Sequence, residues 1–248
     1  GADLALISHT LTAQRSAIAR ARAALAAGEL PAERVRQAAE RVRRLKQRWL
    51  AWDRLPAPVT TATVSAAAHR RLCERAYQRA VTLIRDDAGL LPARLPAQAS
   101  VLVIAQPPAH VSQASDRRYD HASLVASVQR RHANSHGVVV GRGAGKTSLT
   151  AALELARGAD LLILATLDAS RDERQASLIR RLVGVGRPII ALAASAPYDA
   201  ATFAELPTWL TAYEYTPAAL NAAVDAIFGL FEAQGRLPIE APTRSTSL

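Results

Sequence analysis

An α/β fold is predicted for this chain, a mostly parallel sheet inside an αβα sandwich. Three observations predict it. Short, wholly apolar runs recur, such as "VLVIA" (101–105), "LLILA" (161–165) and "PIIALA" (188–193). Segments with helical spacing, roughly 10–15 residues long, separate these runs. A stretch rich in Pro, Thr and Ala, "RLPAPVTTATVSA" (54–66), divides this alternating region from a plainer N-terminal part. Strands apolar on both faces need helices on both sides, which is the arrangement of a buried parallel sheet.

The elements follow in order. "ADLALISH" (2–9) reads as a short buried strand ending at Ser8 and His9, and Thr10 or Thr12 can cap the helix after it. Gly28 stops that helix, and Pro31 opens a second one with Val35, Ala38, Val42, Leu45 and Trp49 on one face. Beyond the Pro-rich stretch, a helix over Arg70–Gln78 leads into the strand "AVTLIRDD", and a "GLLPARLP" turn leads into "VLVIAQ". A polar loop and a helix over Ser123–Arg130 precede the strand "GVVVG" (137–141). The helix after Thr147, "DLLILATLD", the helix over Arg171–Val183 and "PIIALAA" continue the alternation. "TWLTAY" and a helix over Pro217–Phe228 complete it. The tail "EAPTRSTSL" has no periodic pattern.

Length and composition set bounds. With 248 residues and half of them apolar, the chain can bury a sizeable core. Nowhere do about 18 apolar residues run together, so no spanning helix is expected. The first apolar run, Leu4–Ile7, is too short for a secretory signal. The single cysteine, Cys73, can form neither an internal disulfide nor a cysteine-based metal site, and its place among helix formers suggests a packing role. No cofactor or metal site is expected. The net charge of +10 raises the question of nucleic acid. However, the basic residues are nearly all arginine, dispersed, and densest on one helix, "ERVRQAAERVRRLKQR", where they form a solvated face. No nucleic-acid partner is expected. The chain starts at Gly1 and contains no methionine, which suggests a piece of a longer protein.

"GVVVGRGAGKTSLT" (137–150) is the most conspicuous motif. A phosphate-binding loop reads G-x-x-x-x-G-K-[ST], with glycines that let backbone N–H groups converge on phosphate, a lysine that neutralises it, and a hydroxyl that holds Mg²⁺. Counting back from Gly145 puts Val140 where the first glycine belongs, and Gly141 leaves the loop one residue short. A β-branched residue resists the required backbone geometry. The preferred reading is a tight strand-to-helix turn with Thr147 or Ser148 as helix cap and a solvated Lys146. Asp168, after "LLILATL", could pass for a metal-binding aspartate but reads first as a turn former or cap. A nucleotide-binding protein built around Gly141–Thr147 stays open as an alternative.

The two ends of the chain carry a resemblance. "GADLALISH", the Q-x-x-A-I pattern at Gln14–Ile18, the turn "GEL" and "LKQRW" resemble the closing βα unit of the catalytic barrel of glycoside hydrolase family 3, in its bacterial β-N-acetylhexosaminidase branch. "RAVTLIRDDAGLLP", the Pro197-Tyr198-Asp199 turn, "AYEYT" (212–216) and "GRLPI" (235–239) resemble successive parts of the family's C-terminal α/β domain. The resemblance implies residues 1–53 as a remnant of a (β/α)8 barrel, 54–66 as a linker, 67–240 as the α/β sandwich and 241–248 as a loose tail. It implies a retaining, exo-acting β-N-acetylglucosaminidase whose glycan is bound through the missing barrel. The same parent chain would supply that barrel for these residues to pack on.

The family's nucleophilic aspartate and its histidine-rich acid/base loop precede this region, and no K-H-F-P-G-H-G-like motif occurs here. No catalytic residue can therefore be carried onto this chain. Ser8 and His9, at the C-terminal end of the expected barrel strand, are the candidate substrate-binding residues. The loop His110–His121, with Asp116, Arg117 and Arg118, could bind sugar hydroxyls but fits a solvated loop better, and Asp199 reads as a turn and helix-start device. A non-catalytic module that binds a glycan or a partner subunit is a further alternative.

Overall fold

A computed structural model describes residues 1–8, 10–50, 53, 67–107, 121–141 and 145–238 of the chain. The expected linker (54–66), His9, Asp116–Arg118 and the tail (241–248) lie outside the described residues. The chain forms two compact units, Gly1–Val64 and Ser65–Leu248.

The first unit holds two helices, α1 (Leu11–Ala26) and α2 (Ala32–Trp49). Thr10 occupies the cap position of α1, but its side chain makes no capping bond. Gly28, at φ +76°, turns the chain at the helix end, and Leu30 N–H closes on Ala24 O at 3.1 Å. Glu33 pairs with Arg36, and Glu40 pairs with Arg43 and Arg44, so part of the arginine cluster on α2 is neutralised along the helix surface. Asp3 accepts from Arg34 and Arg41, both at 2.8 Å.

The strand expected at 2–9 does not form, because a strand needs a hydrogen-bonded neighbour and none pairs with these residues among those described. Nor is the segment buried: Leu6 is 96% exposed. No residue of α1 or α2 is buried, and Ile18, Leu45 and Trp49 each expose more than half their surface.

The second unit is built on a six-stranded sheet. In chain order its elements are α3 (Ala67–Ala80), β1 (Thr82–Asp86), β2 (Val101–Ala105), α4 (Ala122–Arg131), β3 (Ser135–Val139), α5 (Leu149–Gly158), β4 (Leu161–Thr166), a 3₁₀ turn (Ala169–Arg171), α6 (Glu173–Val183), β5 (Ile189–Ala193), α7 (Asp199–Thr202), β6 (Thr208–Thr211) and α8 (Pro217–Ile227). The spatial order is β1-β6-β5-β4-β2-β3. Five strands are parallel; β1 joins the edge antiparallel to β6, with a register shift between Leu83 and Arg85.

Alternation along the strands sends side chains to two cores. Val103, Ile163, Leu192 and Leu210 meet Leu124 and Val128 of α4 and Leu220, Ala223 and Val224 of α8. Leu102, Ile104, Leu162, Leu164 and Trp209 meet Ala152 and Ala156 of α5, Leu178 and Leu182 of α6, and Phe203. The central strands β2, β4 and β5 are buried at every position, which explains their unbroken apolar runs. Each fully buried Leu or Ile contributes about 1.5–3 kcal/mol, set against the entropy of ordering it. Cys73 does not pack into either core; it is exposed on α3, a helix with no buried residue, of which Tyr77 packs partly buried against the sheet's core.

Three of the short stretches that carry the family resemblance meet around β1. Tyr77 donates to Glu214 at 2.6 Å, a bond that is the main reason its hydroxyl titrates above the ordinary tyrosine range. The hydroxyls of Thr82 and Tyr213 lie 2.9 Å apart, with Tyr213 held at φ +60°. Gly235 N–H donates to Val81 O, and a Cβ at Gly235 would lie 2.4 Å from Ala80 O and 2.3 Å from Thr82 Oγ1. Only glycine fits there, which accounts for the glycine of "GRLP". Arg85 Nε and guanidinium nitrogen donate to the carbonyls of Leu206, Ala200 and Phe203 at 2.8–3.0 Å, tying β1 to the chain between α7 and β6.

Candidate functional site

The carboxyl ends of the parallel strands are where an open α/β sheet places its ligands, at the point where the strand order reverses. In this sheet the chain runs from β2 outward to β3, then crosses back to β4 on the other side of β2, so the reversal falls between β2 and β4. A cleft of about 890 Å³ opens beside it. Gln106 and Pro107, which follow β2, form one wall; Lys146 and Ser148, before α5, form another; Glu173 and Arg174, at the start of α6, close it. Such a volume suits a small ligand.

The described residues of the glycine-rich segment, Val140, Gly141, Lys146 and Ser148, make part of this cleft, and residues 142–144 lie outside the described residues. Val140 is 3% exposed and bridges Thr147. Gly141 N–H donates to Thr147 O at 3.0 Å, and Thr147 N–H donates to Val139 O at 2.9 Å. Those N–H groups are therefore consumed by backbone pairing and do not converge on an empty cradle. Helix α5 begins after Ser148, whose Oγ accepts from Ala151 N–H, so Ser148 and not Thr147 is the cap. Lys146 is exposed, and its aliphatic stem runs over Gly141, where an added Cβ would come within 2.8 Å of Lys146 Cδ.

The two aspartates singled out by sequence have different surroundings. Asp168 is exposed and sits at φ +52°, a turn residue in left-handed backbone. Asp199 is 1% exposed, and its carboxylate accepts from Ala169 N–H at 3.0 Å and Ser170 N–H at 2.8 Å. It thus holds the 3₁₀ turn that follows β4. Gln175 grips the residue before that turn: its Oε1 accepts from Leu167 N–H and its Nε2 donates to Leu167 O. Asp172 caps α6 by accepting from Arg174 N–H. These carboxylates and amides shape the carboxyl end of the sheet, and neither Asp168 nor Asp199 is poised as an acid or nucleophile.

Ser8 is exposed, and its carbonyl accepts from Thr10 N–H just before α1. Gln106 and Arg174 were not legible as site residues in the sequence; the signal for Gln106 was its place one residue after a fully buried strand. Among the described residues, no group of three or more His, Cys, Asp or Glu lies together as a metal centre, and no helix is long and apolar enough to cross a membrane.

No protein-family model and no curated protein sequence matches the chain. Solved structures do. A fungal multidomain glycoside hydrolase family 3 β-N-acetylglucosaminidase is 31% identical over 98% of the chain, with a TM-score of 0.71. A family 3 β-N-acetylglucosaminidase from Paenibacillus sp. strain FPU-7 is 25% identical over 96% of it, with a TM-score of 0.73. The chain spans 27% and 45% of those two chains. A β-glucoside phosphorylase, 19% identical over 97% of the chain with a TM-score of 0.61, shares the fold.

Proposed function

The chain belongs to glycoside hydrolase family 3, whose C-terminal α/β domain it carries, and we propose that it is the C-terminal portion of an exo-acting, retaining β-N-acetylglucosaminidase. Its substrates in this reading are peptidoglycan fragments or chitooligosaccharides. The supporting observation is that both solved structures quoted at 25% identity or more are β-N-acetylglucosaminidases, matched over nearly the whole of this chain.

A retaining glycosidase needs a nucleophile and an acid/base group on either side of one bond. The proposal assigns neither to these 248 residues: Asp199 is fully engaged with backbone N–H groups, and Asp168 is a solvated turn residue. The chain's own contribution is the α/β domain and, in residues 1–53, a helical pair that docks as the closing part of the (β/α)8 barrel. The exposed apolar residues of the first unit, Leu6, Ile18, Leu45 and Trp49 among them, support that docking. Ser8 and His9 are proposed as part of the sugar-facing wall of the completed barrel.

A chimera tests the reading. The matching region of the Paenibacillus enzyme is replaced by this chain, and hydrolysis of 4-nitrophenyl N-acetyl-β-glucosaminide is followed beside the corresponding glucoside. Turnover of the N-acetylglucosaminide by the chimera, with none by the 248-residue chain alone, is the expected result. A folded, soluble chimera without turnover would overturn the proposal, as would hydrolysis by the isolated chain.

A further inference from the structure

The two edges of the sheet are finished differently. β1, at one edge, carries a register shift between Leu83 and Arg85 and two charged residues, Arg85 and Asp86, features that discourage another strand from adding. β3, at the other edge, has neither: "SHGVV" contains no charged residue and no proline, and its register with β2 runs unbroken. His136 and Gly137 are exposed. Gly137 has no room for a protective side chain, because an added Cβ would overlap Val125 Cγ2 of α4. A parallel pair uses alternate residues of an edge strand. Asn134 O accepts from Val101 N–H, and Val140 N–H donates to Ala105 O, so the even-numbered residues bond to β2. The backbone groups of Ser135, Gly137 and Val139 therefore turn outward. Two of those three outward carbonyls are occupied from within the chain. Val139 O accepts from Thr147 N–H at 2.9 Å, and Ser135 O accepts at 3.0 Å from Nε2 of Gln129, an exposed residue in the last turn of α4.

We propose that Gln129 guards this edge: its side-chain amide holds the Ser135 carbonyl, so that the sheet does not extend by antiparallel pairing of β3 with β3 of a second copy. Such a pairing matches Ser135 and Gly137 of one copy with Gly137 and Ser135 of the other. In each match the Gly137 N–H of one copy needs the Ser135 carbonyl of the other as its acceptor. With both Ser135 carbonyls bonded to Gln129, half of those hydrogen bonds cannot form, and Thr147 closes the edge beyond Gly137. This contact is independent of the glycosidase reading, because every residue in it belongs to the α/β unit.

The test uses the 248-residue chain carrying Leu45→Glu and Trp49→Glu, which interrupt the exposed apolar face of the first unit. Gln129→Ala is made in that background; it removes the donor at an exposed helix position that alanine favours, so the fold is kept. Gln129→Lys restores a donor of similar reach. Sedimentation velocity and amide exchange at Gly137 are followed from about 0.05 to 1 mM chain. Gln129→Ala frees one acceptor per copy, and it associates at least about tenfold more tightly than its background. Exchange of its Gly137 N–H slows as concentration rises, while in the background and in Gln129→Lys it does not change. A purely local role for the Gln129 contact, tying α4 to β3, would move neither readout with concentration. Association of Gln129→Ala equal to that of the background overturns the proposal. So does association without slower exchange at Gly137, or Gln129→Lys associating as Gln129→Ala does.

Discussion

Replacing Asp199 by alanine removes a single buried carboxylate and two hydrogen bonds, at 3.0 and 2.8 Å, to the N–H groups of Ala169 and Ser170. A hydrogen bond to a charged group contributes roughly 1.5–3 kcal/mol net. The two donors do not fare alike once the carboxylate is gone. Ala169 is fully buried, so its N–H is left without water or partner, whereas Ser170 is exposed and rehydrates. The loss is therefore nearer one full bond and one partial bond, about 3 kcal/mol for Asp199→Ala, and about 2 kcal/mol for Asp199→Asn, whose amide can still accept once. Asp168 is the control: exposed and at φ +52°, it tolerates alanine at a cost of less than about 1 kcal/mol, and Asp168→Gly is neutral or stabilising. The assay is urea unfolding followed by the fluorescence of buried Trp209 in a Trp49→Phe, Trp52→Phe background, which reports the α/β unit separately from the first unit. A loss below about 1 kcal/mol for Asp199→Ala, or an equal loss for Asp168→Ala, would refute the assignment of Asp199 as the anchor of this turn.

Three further outcomes are expected. Gly235→Ala forces a Cβ to within 2.4–2.6 Å of the carbonyls of Ala80 and Val81; the segment after α8 detaches, read as faster amide exchange at Val81, Thr82 and Gly235, with a stability loss of about 2 kcal/mol or more. Burial of Asp86 favours its neutral form, but hydrogen bonds from Thr208 and from the N–H groups of Leu90, Leu91 and Gly89 together outweigh this and lower its pKa below 3.8. A carboxylate depressed on folding stabilises above its unfolded pKa near 4, and that stability is lost as pH falls through the folded value. Urea midpoints measured from pH 5 to pH 2.5 should thus fall less steeply in Asp86→Asn than in the parent, and equal slopes would refute the linkage. Leu45→Glu with Trp49→Glu, at positions 53% and 62% exposed, lowers self-association of the chain in sedimentation velocity and leaves the α/β unit's unfolding midpoint in place.

Much of this fold was readable from local pattern because a central parallel strand leaves a simple trace. It is buried on both faces, so "VLVIA", "LLILAT" and "IIALA" are apolar throughout, and the helices between them repeat at their own period. The departure from the phosphate-loop pattern was also legible at Val140, which is buried and bridges Thr147. The strand expected over 2–9 was misread for the opposite reason. Its short apolar run describes a segment that could pair and be buried, but pairing belongs to the neighbour as much as to the segment.

Sequence by itself determined the order of strands and helices in the α/β unit and the family, because each rests on residue type and spacing along the chain. It could not say what the short signatures do. That "TLIR", "AYEYT" and "GRLP" meet around Thr82 and that Asp199 reaches back thirty residues to Ala169 and Ser170 were decided by tertiary structure. Each of these depends on which distant backbone groups and side chains come within about 3 Å of one another. Hydrophobic pattern specifies a buried face, while a hydrogen bond requires a named partner, and only the folded chain brings the partners together.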